Sequence, residues 1–278
     1  MTITRLDLDG LGSPAAIAER IHELDSELPL IVPLAKLCSE LDISSIEDVD
    51  TQSFEAALIM DVNKAAGAIL LARDRSLQRR RYSLAHELGH WLIPTHRPDA
   101  GHGFECQLDD LHFVDEKERN RRRRIEAEAN RFASALLMPP QRVRTEMGGT
   151  RDLQDIIALA EKFGVSKEAM ARAYVYASRE PVAILVLHRG LVTRVYRNED
   201  FPWIDVRIGH QTPLESIASA TRPAASMSEL EECDPTNWLS ERDAARTELL
   251  LEQVLGQAHE YAMVLLHAEL TDPDDDGR

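Results

Sequence analysis

The stretch Ser83-Leu84-Ala85-His86-Glu87-Leu88-Gly89-His90-Trp91-Leu92 decides the reading of this 278-residue chain. Leu84, Leu88, Trp91 and Leu92 recur at three- and four-residue spacing, the apolar stripe of an amphipathic helix. That helix is expected from about Ser76 to Ile93, where Pro94 stops it. Residues four apart on a helix share a face, about 5–6 Å between Cβ atoms, so His86 and His90 can offer their rings to one ion. Glu87 stands beside them, where a carboxylate could take a proton from an attacking water and pass it to a leaving amine. Gly89 costs roughly 1 kcal/mol in a helix interior relative to Ala, so it implies the close approach of another segment.

A tetrahedral catalytic zinc takes three protein ligands and leaves its fourth position open. Further along, Ile125, Ala129, Phe132, Ala133, Leu136 and Leu137 define the buried face of a second long helix, expected from about Glu116 to Met138 and ended by Pro139-Pro140. At about 100° per residue, Glu126 lies roughly 60° from the centre of that face and Glu128 roughly 100°. Asn130, one turn beyond Glu126, shares its side and suits a residue that hydrogen-bonds a ligand. Glu126 is therefore the preferred third ligand, with Asn130 in support. His96 falls at the spacing of a metzincin's third His, but Ile93-Pro94 stands where that arrangement turns on a Gly. His102 and His112, in an expected loop over residues 94–114, have no spacing in their favour. Glu128 and His96 are accordingly expected to be dispensable for the metal.

Arg81-x-x-x-Ala85-His86-Glu87-Leu88-Gly89-His90, followed by Glu126-x-x-Ala129-Asn130-x-Phe132-Ala133-x-x-Leu136-Leu137-Met138-Pro139, resembles the ImmA/IrrE family of metallopeptidases. The resemblance spans roughly residues 30–178. It implies a zincin-like fold with zinc held by His86, His90 and Glu126, and Glu87 as general base. It further implies a cytoplasmic enzyme that cuts a helix-turn-helix repressor, relieving repression in a stress response or a mobile element.

Outward from these helices the pattern is mixed. Residues 14–25 and 33–41 read as short helices, and Phe54–Asp61 with Ala68–Arg73 read as a hairpin around Asn63–Gly67. That hairpin could offer a sheet edge to an extended peptide. The basic runs Arg79–Arg81 and Arg119–Arg124 could form a rim favouring acidic residues beside the cut. Leu153–Phe163 and Ser166–Ala177 form a helix pair around Gly164 that is similar to a helix-turn-helix element. Its second helix, opening Lys167-Glu168-Ala169-Met170-Ala171-Arg172, offers few side chains to read bases, so a packing role in the peptidase domain is expected.

After residue 180 the sequence reads as a hairpin (Pro181–His188 and Leu191–Arg197), a strand at Trp203–Ile208 and a linker at Ala218–Asp234. A helix from Ser240 to about Gln257, a strand at Tyr261–Leu270 and an acidic tail at Asp272–Arg278 complete it. The expected fold class is α+β. A zincin-like metallopeptidase domain with helix-turn-helix-like helices fills residues 1–180, and a smaller accessory α+β domain for docking or sensing fills 181–278.

Charge and composition narrow the function. Lys and Arg total 32 against 48 Asp and Glu, a formal charge of −16, which repels phosphate backbones and argues against direct nucleic-acid binding. The longest apolar runs, such as Val182–Leu187, fall far short of the roughly 18 residues that cross a bilayer, and no secretory leader pattern opens the chain. Three scattered Cys argue against a disulfide framework or a thiolate zinc site. Peptide-bond hydrolysis with Zn2+ is the leading reading. The runner-up is a non-catalytic metal-binding regulator that acts by binding a transcription factor.

Overall fold

A computed structural model describes residues 2–61, 63–97, 104–106, 120–220 and 222–271. His102, His112, Arg119, the expected tail 272–278, most of the loop 94–114 and the expected start of the second long helix lie outside the described residues. The chain is α+β and divides into two compact units, residues 1–139 with 160–166 and residues 140–159 with 167–278. Residue 180, where composition suggests a boundary, falls inside the second unit. Among the described residues no helix is long and apolar enough to cross a membrane.

The first unit contains α1 (Pro14–Leu24), α2 (Leu34–Glu40), β1 (Ile43–Val49), β2 (Ala56–Met60), β3 (Gly67–Ala72), α3 (Leu77–Leu92), β4 (Phe104–Cys106) and α4 (Arg121–Leu137). Its sheet runs β1-β3-β2-β4, with β1 parallel to β3 and the other pairs antiparallel. The expected hairpin is β2–β3, but neither strand is an edge. β1 and β4 flank them, so the sheet edge assigned to the hairpin belongs to its neighbours. Ala56, Leu58, Ile69 and Ala72 have no exposed surface, because both strands are sandwiched by partners and by the helices above them.

Helix α3 begins where the Ser76 hydroxyl accepts the Arg79 amide, and Ile93 ends it before Pro94. Gly89 has the reason its cost demands: a Cβ there would stand 3.0 Å from Phe132 Cδ1 and 3.3 Å from Ala129 Cα of α4. The two helices cross at that point. Below it, Lys64 is buried and donates from Nζ to the carbonyls of His90, Trp91 and Ile93 at 2.8, 3.1 and 2.7 Å, closing the C-terminal end of α3. Burial, reinforced by Arg5 and Arg97, pushes its pKa down to about 7.

The second unit holds α5 (Pro140–Glu146), α6 (Leu153–Phe163, whose last residues belong to the first unit), α7 (Lys167–Ala177), β5 (Val182–His188) and β6 (Leu191–Arg197). It continues with β7 (Glu231–Glu232), α8 (Glu241–Ala244), β8 (Thr247–Gly256) and β9 (Tyr261–Leu270). The sheet is antiparallel in the order β6-β5-β9-β8-β7. Gly164, at φ +64°, ends α6, and the Val165 amide reaches back to the Ala160 carbonyl at 3.0 Å. Helix α7 buries Met170, Ala171, Tyr174 and Val175, and its Glu168 accepts the Tyr196 hydroxyl of β6 at 2.8 Å. Helix α7 thus packs on the sheet of the second unit, where a packing role within the peptidase domain was expected.

Three expectations for this unit need correction. Trp203–Ile208 is no strand: Ile204 makes a single bridge with Leu239. The stretch 218–234 is no loose linker, because Ser228 and Cys233 amides bond to Val254 and Leu250 carbonyls along β8. The helix expected from Ser240 to Gln257 stops after Ala244, and 247–256 is a ten-residue strand paired along its length with β9.

Candidate metal centre

Helix α3 carries His86, Glu87 and His90 into the interior, each with no exposed surface. Facing them across the Gly89 crossing, α4 presents Glu126 and Asn130, which are 5% and 4% exposed. The rotation argued from the apolar stripe of α4 is what the helix shows, since Glu126 is buried and Glu128 only half-buried.

Three atoms converge. His86 Nε2 is 3.0 Å from His90 Nε2, and Glu126 Oε2 is 3.1 Å from the first and 3.3 Å from the second. A tetrahedral ion with bonds of about 2.0–2.1 Å holds its ligand atoms roughly 3.3 Å apart, so the triangle is close to what zinc requires. Two imidazole nitrogens and one carboxylate oxygen are also the donor set of a hydrolytic zinc site. His86, His90 and Glu126 therefore form a buried group that could hold a metal ion.

The electrostatics agree with that use. Burial lowers the His90 pKa to about 4, against a weaker pull upward from Glu126. Burial pushes Glu126 upward, yet the contacts with His86 and His90 win and hold its carboxyl below the usual range. A neutral His90 beside an ionised Glu126 is the protonation state a divalent ion needs.

Around the triangle lies a supporting set. Asn130 Oδ1 accepts from His86 Nδ1 at 2.9 Å, and the Tyr82 hydroxyl donates to the same oxygen at 3.2 Å. Tyr82 was not singled out in the sequence, although its place one turn before His86 on α3 is a signal that could have found it. His96 and Glu128, expected to be bystanders, are close at hand. His96 has no exposed surface, its Nδ1 is 3.1 Å from His90 Nδ1, and its Nε2 is 2.9 Å from Glu128 Oε2. His96 is thus placed behind a member of the triangle, and the metzincin alternative for the third ligand gains no support.

The first basic run is committed elsewhere. Arg79 joins Arg75 on the buried Glu55 at 2.7 and 2.8 Å, Arg80 pairs with Asp48, and Arg81 donates to the carbonyls of Gly164 and Val32. These contacts secure the helix, and Arg79 and Arg80 stay partly exposed. Cys38 is buried and its thiol is pushed up to about 12, as suits an inert core residue.

Comparison with known proteins fits this geometry. Residues 47–174 match the Peptidase_M78 family model, described as an IrrE N-terminal-like domain. No curated protein matches the chain. Among solved structures, the chain is similar to a Mycobacterium tuberculosis transcriptional regulator at 15% identity and a TM-score of 0.60, over 92% of this chain and 76% of that one. At that identity the likeness speaks for the fold. The family match spans α3 and α4 with His86, Glu87, His90 and Glu126, and the chain therefore carries an IrrE N-terminal-like domain of the Peptidase_M78 family.

Proposed function

We propose that the protein is a zinc-dependent endopeptidase that cuts a helix-turn-helix transcriptional repressor at one or two sites and so relieves repression. The observation that carries the reading is the convergence of His86, His90 and Glu126 to within 3.0–3.3 Å, with Glu87 buried beside them on the same helix. A purely structural site prefers four closed protein ligands and needs no adjacent base.

When bound, zinc polarises the scissile carbonyl and acidifies water. Glu87 takes the proton from the attacking water on a carboxylate oxygen and delivers it to the amide nitrogen as the C–N bond breaks. Asn130 and Tyr82 hold the His86 ring so that its Nε2 faces the site. The burial of all three ligand side chains keeps bulk water from competing for those positions.

The repressor as partner and the cytoplasm as location rest on the ImmA/IrrE resemblance. An enzyme in that compartment has to be selective, and a substrate segment that adds as a strand to a sheet edge would supply selectivity. The second reading, a metal-binding regulator that acts by binding a transcription factor, draws on the similar fold of a protein described as a transcriptional regulator.

The test is to incubate the zinc-loaded protein with the repressor encoded beside it and, separately, with casein. Limited cleavage of the repressor and an intact casein are expected. Glu87→Gln should keep its zinc and lose activity by about 100-fold or more. Equal rates for Glu87→Gln and wild type would overturn the mechanism. A repressor that is bound tightly and left intact would favour the second reading.

A further inference from the structure

The two histidines of the triangle are held in different ways. His86 leans on a neutral amide, Asn130 Oδ1 at 2.9 Å. His90 leans on another imidazole: its Nδ1 is 3.1 Å from His96 Nδ1, and His96 Nε2 is 2.9 Å from Glu128 Oε2. We propose that His96 and Glu128 are positioning residues for the metal centre, a two-member relay that fixes the tautomer and orientation of His90. The inference rests on the reading of His86, His90 and Glu126 as metal ligands.

Proton bookkeeping along the relay has one consistent solution. To present a lone pair from Nε2, a neutral His90 must carry its proton on Nδ1. That N–H then donates to His96 Nδ1, which must be the bare nitrogen of its ring. His96 therefore carries its proton on Nε2 and donates it to Glu128 Oε2. Every donor meets an acceptor, and the chain ends on a carboxylate. Arg124, one turn before Glu128 on α4, brings its Nε to 4.0 Å from the other carboxylate oxygen. The negative end of the relay draws the Nδ1 proton of His90 outward and makes its Nε2 a stronger donor to a cation.

Packing supports the assignment. His96 has no exposed surface, and each of its ring nitrogens meets a member of the relay. Glu128 completes the division of labour on α4, where Glu126 is turned to the ion and Glu128, two residues on, reaches the histidine behind it.

The experiment measures zinc affinity by competition with a chromogenic chelator, alongside far-UV circular dichroism, for wild type, His86→Ala, His96→Ala, Glu128→Ala and Glu128→Gln. His86→Ala should abolish tight binding, which tests the ligand set itself. His96→Ala and Glu128→Ala should keep the fold and weaken affinity by roughly 10- to 100-fold. Glu128→Gln, which still offers an oxygen to His96, should recover most of the loss. Long-range ¹H–¹⁵N spectra of zinc-loaded wild type should show His96 neutral with its proton on Nε2. Should His96→Ala fail to fold, Glu128→Ala and the spectra decide. Wild-type affinity in Glu128→Ala, or His96 protonated on Nδ1, would overturn the relay while His86→Ala still loses zinc. Failure of wild type to bind zinc would instead overturn the ligand reading on which it rests.

Discussion

Each unit buries a carboxylate almost completely, Glu126 on α4 in the first and Glu252 on β8 in the second, at 5% and 0% exposure. Their surroundings differ in kind. Glu252 receives the Ser216 hydroxyl at 2.6 Å and the Ala218 amide at 3.2 Å on one oxygen, and the Trp238 indole N–H at 3.2 Å on the other. An indole and a backbone amide can only donate. The acid is thus the fixed acceptor that lets the core of Val254, Leu250, Trp238 and Ala218 close around polar groups. Glu126 instead faces two imidazole nitrogens on a single oxygen, and imidazole nitrogens can turn lone pairs as well as protons toward a common point. Burial alone therefore does not mark a ligand. Convergence of groups that can all be acceptors does.

The widest separation between the two acids should appear when each is truncated. Glu126→Ala should cost zinc affinity more than the roughly 10- to 100-fold of a supporting residue, while metal-free thermal stability falls only modestly. Glu252→Ala should do the reverse. It strands an indole N–H and a backbone N–H in the interior, a loss of about 3 kcal/mol or more, and it should leave the zinc content of the folded fraction unchanged. Atomic absorption and denaturant titration on both variants give the answer. A stable Glu252→Ala, or one that folds and loses zinc, would erase the distinction between the two acids.

A milder probe acts on the helix crossing that brings Glu126 to the histidines. In Gly89→Ala the added Cβ meets the buried Phe132 ring at 3.0 Å and the backbone of Ala129 at 3.3 Å, and neither can retreat far. Overpacking of this kind costs about 1–3 kcal/mol, partly offset by roughly 1 kcal/mol of helix propensity. A net destabilisation near 1 kcal/mol and a measurable fall in zinc affinity are expected. Phe132→Leu in the same chain should restore part of both. A stabilised Gly89→Ala would mean that the crossing is looser than these distances imply.

How much of this could be read beforehand depended on how local the deciding interaction is. His86, Glu87, His90 and the reason for Gly89 follow from one helix turn, and the rotation of Glu126 follows from the apolar stripe of α4. The contact between Glu128 and His96 has no signal in the sequence, because it joins residues 32 apart by contact and not by spacing. β8 was misread for a related reason. Ser240 does accept the Asp243 amide and opens a helix, yet Leu250, Leu251, Val254 and Leu255 satisfy a helical period as well as a buried strand. Pairing of Val254 with Val264 and Leu250 with Ala268 settles the choice, and such pairing has no local signature. β1 hides similarly, since its partner β3 is parallel and lacks a hairpin turn to announce it.

The smallest expected effect lies in the second unit and concerns acid. Glu180 is bound by Arg151 at 2.9 Å and by His267 Nε2 at 2.9 Å, and Arg151 also reaches Glu269 at 2.7 Å. The hydrogen bond from Arg151, with His267 in support, holds the Glu180 carboxyl below its ordinary 4.5. A depressed carboxylate contributes stability that is complete above 4.5 and is lost as pH falls through the lower folded value. His267 acts in the same direction: burial depresses it from 6.5, so below that pH the unfolded chain takes up the proton first and folding weakens. Its Nδ1 is buried with no hydrogen-bond partner among the described residues, which makes the protonated ring costlier still. Because Glu180 and Arg151 are 48% and 37% exposed, solvent screens their pairing and the carboxylate step should stay under about 1 kcal/mol. Arg151→Ala should therefore reduce the loss of stability below pH 4.5 while leaving the step below pH 6.5 in place, as read by denaturant midpoints across that range. Identical acid profiles for Arg151→Ala and wild type would show that the pair adds nothing to the fold, and that the tighter cluster around Glu252 carries the polar interior of this unit without it.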